Sequence, residues 1–307
     1  MGTVTRGFPR PRCSLSGVTS TAASHLCPPQ VFERLLNYLQ PEERARISRF
    51  RRQRDALLAM AGRLMIRSYL VEKLKVPWDN VRLGRTPENK PFLVGIPDND
   101  RIPRMTCSNG IHIAFNVSHH GDWTVLAAVE APCSRSIGVD VMRIELSMIP
   151  GESTDVFLDC FRSQLTPREW SYVRAATVDR GRLERFYRLW CLKESYVKAV
   201  GQGLGIDLRT LEFVIQEPLD AQRPGQAVTS PLLFIPPLEK DYPTDDIGFR
   251  VPESYIFEEY FLDQNHCAAV CLACDAARGQ LPPAPPTPAR FERIETVNHL
   301  LRQAQSL

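Results

Sequence analysis

The sequence predicts an α+β fold built from two related halves with pseudo-twofold symmetry, and a ligand site where the halves meet. Two observations carry this. A long apolar-striped helix followed by short antiparallel strands occurs twice along the chain, the arrangement of an α+β unit. The local sequence also rhymes between the two long helices, Ser68-Tyr69-Leu70-Val71 in the first and Ser195-Tyr196-Val197-Lys198 in the second. With 307 residues, 43% of them apolar, the chain can bury two such cores, and a charged fraction of 24% excludes wholesale disorder. Ligands favour the crevice between two packed halves.

The elements follow in order. Residues 1–27 read as a disordered or atypical leader: residues 1–32 hold no acid, and Arg6, Arg10 and Arg12 stand among Ser and Thr, faintly like a transit peptide. No apolar stretch there suits secretion, and Arg6 occupies the place where myristoylation needs Ser or Thr. The first half covers 28–133. Val31, Leu35, Leu36 and Leu39 keep helical spacing up to Pro41, a second helix starts at Pro41-Glu42-Glu43, and a third runs from Arg54 to Leu74. Strands follow at Val81–Leu83, Pro91–Val94, Ile113–Ser118 and Trp123–Val129, the last two joined by the hairpin turn His119-His120-Gly121-Asp122.

The second half covers 134–277. A strand at Ile137–Val141 precedes a helix from about Leu183 to Val200, then strands at Leu211–Ile215, Ser254–Phe261 and Ala268–Ala273. Residues 222–248 are Pro-rich and read as an irregular surface excursion. The Pro-rich tail, 278–307, opens with Pro282–Pro288 as an extended tether, and a short amphipathic helix from Arg290 to Leu301 follows.

Composition narrows the function. A net charge of +3 is not that of a polycation made for nucleic acid. No apolar run reaches the roughly 18 residues of a membrane span, so the chain is expected to be soluble, with no membrane partner. Nine scattered cysteines, several inside apolar runs, suit free thiols in a reducing, cytoplasmic setting. Two internal halves make a monomer sufficient. Arg44, Arg46, Arg49, Arg51, Arg52, Arg54, Arg63 and Arg67 crowd one segment, which is either a solvated helix face or an anion-binding surface.

Four segments carry chemistry. In Trp190-Cys191-Leu192-Lys193-Glu194-Ser195-Tyr196-Val197-Lys198, Glu194 and Lys198 share one helical face at i, i+4. An exposed pair of this kind contributes only about 0.3–0.5 kcal/mol, but this helix is apolar nearly all round, so the pair is expected to line a cleft. Asp140 interrupts the apolar strand Ile137–Met142. A hard cation shared with Glu194 would neutralise both acids; backbone N–H groups or an arginine would neutralise Asp140 alone. Asn116-Val117-Ser118-His119 ends a strand with donors for a phosphate, or simply with turn chemistry. Gly84-Arg85-Thr86-Pro87-Glu88-Asn89-Lys90-Pro91 is a tight turn framed by two cations. Gly201-x-Gly203-x-Gly205 follows a helix, so it reads as cap and turn, not as a dinucleotide loop.

Taken in order, Phe115-Asn116-Val117-Ser118-His119, Ile137-Gly138-Val139-Asp140-Val141 and Trp190-x-x-Lys193-Glu194-Ser195-x-x-Lys198-Ala199 resemble the 4′-phosphopantetheinyl transferase superfamily in its stand-alone, two-lobed form. Pro41–Ile47, Ala59–Arg67 and Leu83–Thr86 extend the likeness, which runs from about Pro28 to Cys274. The resemblance implies transfer of the phosphopantetheine arm of coenzyme A to a serine of an apo acyl or peptidyl carrier protein, releasing adenosine 3′,5′-bisphosphate. Carrier domains of the fatty acid synthase and aminoadipate-semialdehyde dehydrogenase types are the implied partners.

By the same resemblance Asp140 and Glu194 hold Mg²⁺ on the pyrophosphate, and Glu194 is the base, directly or through a metal-bound water. Lys198 neutralises the transferring phosphate. Arg46, the turn Arg85, Thr86, Pro87, Glu88, Asn89 and Lys90, and Asn116, Val117, Ser118 and His119 hold the 3′-phosphate and adenine portions. Two features depart from the pattern. Met142 stands where many members carry a second acid, so a water completes the metal shell, and residues 1–27 lack the family's apolar N-terminal strand. Rival readings are an inert carrier-binding homologue and a coenzyme A hydrolase.

Overall fold

The structure is a computed structural model that describes residues 12–19, 29–87, 90–94, 112–131, 136–146, 153–201, 203–215, 228–229, 232–234, 255–273 and 290–294. Six helices occur among them: α1 (Pro29–Leu36), α2 (Pro41–Ile47), α3 (Gln53–Leu74), α4 (Thr154–Asp159), α5 (Pro167–Arg174) and α6 (Asp179–Val200). The strands are β1 (Arg12–Thr19), β2 (Arg82–Arg85), β3 (Pro91–Val94), β4 (His112–His120), β5 (Trp123–Ala131), β6 (Ile137–Arg143), β7 (Leu211–Phe213), β8 (Val228–Thr229), β9 (Leu232–Phe234), β10 (Tyr255–Asp263), β11 (His266–Ala273) and β12 (Arg290–Ile294). The class is α+β, as the sequence predicts.

Two four-stranded sheets form the centre, in the orders β12-β1-β5-β4 and β6-β11-β10-β8. The pleat sorts their side chains into three cores. Leu126 and Ala128 of β5, with Ile113 and Phe115 of β4, pack beneath α1, α2 and the 22-residue α3. Residues of β5 on the opposite face, Val125, Ala127 and Val129, meet Val139 and Val141 of β6, Tyr260 of β10 and Val270 of β11, so the sheets face each other. On the outer face of the second sheet, Cys267, Ala269 and Cys271 pack against the equally long α6. The layers therefore run helix, sheet, sheet, helix.

The inner helix faces are held by buried ion pairs with hydrogen-bonded partners. Arg188 meets Glu259 at 2.9 Å, and Lys193, fully buried, meets Glu169 at 2.8 Å while also donating to the Leu208 carbonyl at 2.7 Å. Glu169 in turn closes the capping box of α5 with Thr166. Lys193 of the apolar-ringed helix is thus a structural anchor for the 208–213 segment. The β4–β5 hairpin turns at Gly121, whose φ of +57° is left-handed, and a side chain there would collide with His266.

Three expectations are corrected. The leader is not disordered throughout: Arg12–Thr19 pairs antiparallel with β5 along its full length, Arg12 opposite Glu130 and Thr19 opposite Trp123. The tail forms a strand at Arg290–Ile294, parallel to β1, where a helix was expected. The first sheet therefore draws on residues from both ends of the chain, beyond the 28–133 boundary. Both pairings are non-local, and neither segment carries a strong alternating pattern of its own. Within 222–248 two short strands occur, β8 and β9. Helices α4 and α5 were not foreseen, although Thr166-Pro167-Arg168-Glu169 carries the capping-box signal. The proline run 282–288 lies outside the described residues. Among the described residues no helix is long and apolar enough to cross a membrane.

Candidate active site

Strand β4 lies at the edge of the first sheet and β6 at the edge of the second. Alternate residues of β4 stitch the two edges together. Asn116 accepts the Val139 amide on Oδ1 at 2.9 Å, the Ser118 hydroxyl donates to Asp140 Oδ1 at 2.9 Å, and His120 Nδ1 accepts the Arg143 amide at 2.9 Å. The residues between them, Val117 and His119, face the other way and line a groove. Period-two geometry thus splits the predicted Asn-Val-Ser-His segment into a structural row and a groove row.

Helix α6 packs on β6 at very short range. Gly138 makes this possible: a Cβ there would stand 3.0 Å from Ala199 Cα and overlap the Ser195 carbonyl oxygen and the Ala199 nitrogen. Two residues along the same face, Asp140 is buried beneath α6. Lys198 Nζ donates to its Oδ1 at 2.6 Å and to Ser118 Oγ at 2.9 Å. Asp140 Oδ2 is buried, and no donor among the described residues reaches it. Glu194, one turn before Lys198 and half-buried, is pushed above the usual carboxylate range by burial and by the charge of Asp140, with Lys198 opposing. The two acids that the sequence singled out therefore feel each other's charge.

Three cavities that share lining residues follow one another from Lys198 along β4. A cavity of about 200 Å³ lies between Asn116, Val117 and Lys198. Val117 and Pro91 also line the next, of about 160 Å³, with His119, Arg63 and Arg85. The third, about 470 Å³, is walled by Arg46, Arg63, Arg82 and Arg85 with Glu42 and Glu43. His119 is held below its ordinary value by burial and then by Lys198, so its ring is neutral near pH 7 and offers a donor and an acceptor. Burial and Arg46 likewise lower Arg85.

The structure distributes the predicted residues as follows. Asp140, Lys198 and Ser118 form one hydrogen-bonded set with Glu194 beside it. Arg46 and Arg85 meet in the large cavity through non-local packing, to which the hydrogen bond from Gln40 Nε2 to the Leu83 carbonyl, across 43 residues, contributes. Thr86 closes its turn, donating its amide to the Lys90 carbonyl at 2.9 Å; Pro87 belongs to that turn, and Glu88 and Asn89 lie outside the described residues. Lys90 turns away from the arginines: Nζ donates to the Lys198 carbonyl at 2.9 Å and the Ile137 carbonyl at 3.3 Å, bracing the last turn of α6 against β6. Asn116 spends its side-chain oxygen on β6. Met142 packs against the core beneath α6.

Two residues were missed. His120 belongs to the stitching row, and strict alternation along β4 signals it. Arg63 lines the 160 and 470 Å³ cavities, and nothing in the crowded arginine run separates it from Arg67, which is tied to Glu43 Oε2 at 3.0 Å, to Gln40 and to the Val81 carbonyl.

This arrangement has relatives. A profile described as 4′-phosphopantetheinyl transferase, N-terminal, matches residues 27–131, and one described as the 4′-phosphopantetheinyl transferase superfamily matches 136–230. The chain belongs to the 4′-phosphopantetheinyl transferase superfamily. It is 39% identical over 235 residues to the L-aminoadipate-semialdehyde dehydrogenase-phosphopantetheinyl transferase of Xenopus laevis, covering 76% of this chain and 68% of that one. The Homo sapiens protein of the same name is 37% identical, with 76% and 67% covered. A phosphopantetheinyl transferase from a Thraustochytrium species is 34% identical over 249 residues, with 80% and 74% covered. The boundary between the two profiles falls at the β5–β6 link, so the stitched β4–β6 seam of this phosphopantetheinyl transferase is where its two matched regions join.

Proposed function

We propose that this transferase moves the 4′-phosphopantetheine arm of coenzyme A onto a serine of an apo carrier protein with the help of Mg²⁺ held by Asp140 and Glu194. The observation that carries the metal assignment is the orphaned Asp140 Oδ2, buried beside a second carboxylate at one end of a groove whose other end is lined by arginines. An oxygen-only donor set of one or two carboxylates suits Mg²⁺, with waters and phosphate oxygens for the rest. When bound, the ion would draw charge from the pyrophosphate oxygens.

The chain's own residues do the remainder. Arg46, Arg63 and Arg85 bind the nucleotide end. Lys198 uses two of its three N–H groups on Asp140 and Ser118, leaving one for an oxygen of the transferring phosphoryl group. Glu194, with its raised proton affinity, takes the serine proton directly or through a water. A bond then forms between the serine oxygen and phosphorus, and the bond to adenosine 3′,5′-bisphosphate breaks. Aminoadipate-semialdehyde dehydrogenase and fatty acid synthase type carrier domains are the proposed partners, met by a monomer in the cytoplasm. Cys191 and Cys267, 3.8 Å apart and unbridged, suit a reducing compartment.

The deciding test is incubation with coenzyme A, Mg²⁺ and apo carrier proteins, read by mass spectrometry. A carrier heavier by one phosphopantetheinyl group, lost on metal chelation, is the expected result. Free phosphopantetheine without carrier would mean a hydrolase, and no change with any carrier would mean an inert homologue. Within the groove, Arg85→Gln should raise the KM for coenzyme A roughly tenfold or more with kcat nearly kept. Lys90→Met should instead lower the melting temperature, because two carbonyls lose their donor. A KM unmoved by Arg85→Gln would remove the large cavity from the coenzyme site.

A further inference from the structure

Two histidines outside the proposed chemistry close the seam between the two sheets. His120, at the end of β4, accepts the Arg143 amide of β6 on Nδ1 at 2.9 Å. His266 starts β11, opposite Arg143 in the register, and reaches the other way: its Nε2 accepts the Asp122 amide of the β4–β5 turn at 3.2 Å. Each ring therefore takes one backbone N–H from the other half of the molecule. Both bonds need a ring nitrogen that carries no proton. In His266 the partners fix which one: Nδ1 lies 2.9 and 3.0 Å from the two oxygens of Asp263, which also accepts from Trp123 Nε1 of β5 at 2.7 Å. Burial holds His120 below the ordinary histidine value, with Glu145 and Asp140 opposing and His266 and Arg143 adding to the shift. Its ring is neutral near pH 7.

This clasp bears on Asp140 through the strand that carries it. Strands β4 and β6 lie in different sheets, so no ladder ties them, and side-chain acceptors stand in for one. Asn116 holds the Val139 amide just before Asp140, and His120 holds the Arg143 amide three residues after it. Between these two points Asp140 Oδ1 accepts from Ser118 of β4 and from Lys198 of α6. Releasing the far clamp leaves an amide without its acceptor and lets β6 shift against β4. We propose that His120 and His266 are positioning residues for phosphopantetheinyl transfer: as neutral acceptors they clasp β6 to the β4–β5 hairpin and so hold Asp140 against Ser118 and Lys198. The inference rests on the reading of Asp140 as a metal-holding carboxylate and deepens it.

The test uses the full-length protein with His120→Leu and His266→Leu, which remove the acceptors, and with His120→Asn and His266→Gln, whose side-chain oxygens take the places of Nδ1 and Nε2. Hydrogen exchange read by mass spectrometry follows the clasp itself, with no coenzyme or carrier, in the peptides that contain Asp122 and Arg143. Exchange there should be roughly 5- to 10-fold faster in the leucine variants and near wild type in the other two. Electron paramagnetic resonance gives the affinity for Mn²⁺, a probe for an oxygen-ligated Mg²⁺ site, and carrier assays give kcat and the KM for coenzyme A. The leucine variants should bind Mn²⁺ roughly tenfold more weakly and lose kcat roughly 10- to 100-fold, with KM within about twofold of wild type. His120→Asn should recover most of both. Unchanged exchange in the leucine variants, faster exchange with Mn²⁺ affinity and kcat kept, or a loss that His120→Asn does not repair overturns the proposal. If the wild type binds Mn²⁺ with this clasp-dependent affinity yet modifies no carrier, the transferase reading fails and the clasp stands.

Discussion

Glu194→Gln should reduce transfer at least roughly 100-fold, the scale of a lost general base, while coenzyme A still binds. The two effects separate because they belong to opposite ends of the groove: the arginines proposed to hold the nucleotide line cavities that Glu194 does not. Unfolding is not an alternative explanation. Burial and Asp140 raise the proton affinity of Glu194 in the folded chain above that of the unfolded one. Such a group stabilises the fold only below the ordinary glutamate value, and that contribution is lost as pH rises through the raised one. At pH 7 the ionised carboxylate is therefore a burden, and a neutral glutamine should leave the melting temperature equal or higher. Single-turnover assays with coenzyme-binding titrations check this; near-normal turnover would strip Glu194 of its role.

Gly138→Ala should cost about 3 kcal/mol of stability or more, at the upper end of overpacking effects. The added methyl overlaps backbone atoms of α6, the Ser195 carbonyl oxygen and the Ala199 nitrogen, and not the end of a side chain that could swing away. Relief requires α6 to lift off β6, and α6 carries Glu194 and Lys198 while β6 carries Asp140. Activity should consequently fall further than the folded fraction does, since the 2.6 Å contact between Lys198 and Asp140 opens. Denaturant titration and activity measured where the variant is folded give both numbers. A variant of wild-type stability and activity would mean that the close approach of α6 does not set the site.

Much of this was legible in advance for local reasons. Helical periodicity located α3 and α6, alternation and turn residues located β4, β5 and β6, and a charged pair on an otherwise apolar helix marked Glu194 and Lys198 as cleft residues. The helix is buried on nearly every side, as its apolar pattern implies. The spacing of three short motifs was enough to indicate the family. Side-chain assignments inside the turn were less legible. Lys90 and Arg85 look alike as two cations flanking a loop, yet one braces a helix terminus and the other faces a cavity. The difference arises from α6, more than a hundred residues later.

Residue order alone determined the α+β class and the hairpins and singled out the candidate reactive side chains, because each depends on neighbours within one or two turns of chain. Tertiary packing decided the rest. It placed β1 and β12 in the first sheet, divided Asn116, Ser118 and His120 from Val117 and His119, and left Asp140 Oδ2 without a donor among the described residues. It also gave Glu43 Oε2 to Arg67 and set Arg63 3.9 Å from Oε1. These outcomes depend on which groups meet across two sheets and how little water remains between them, and neither quantity is written in any local stretch of sequence.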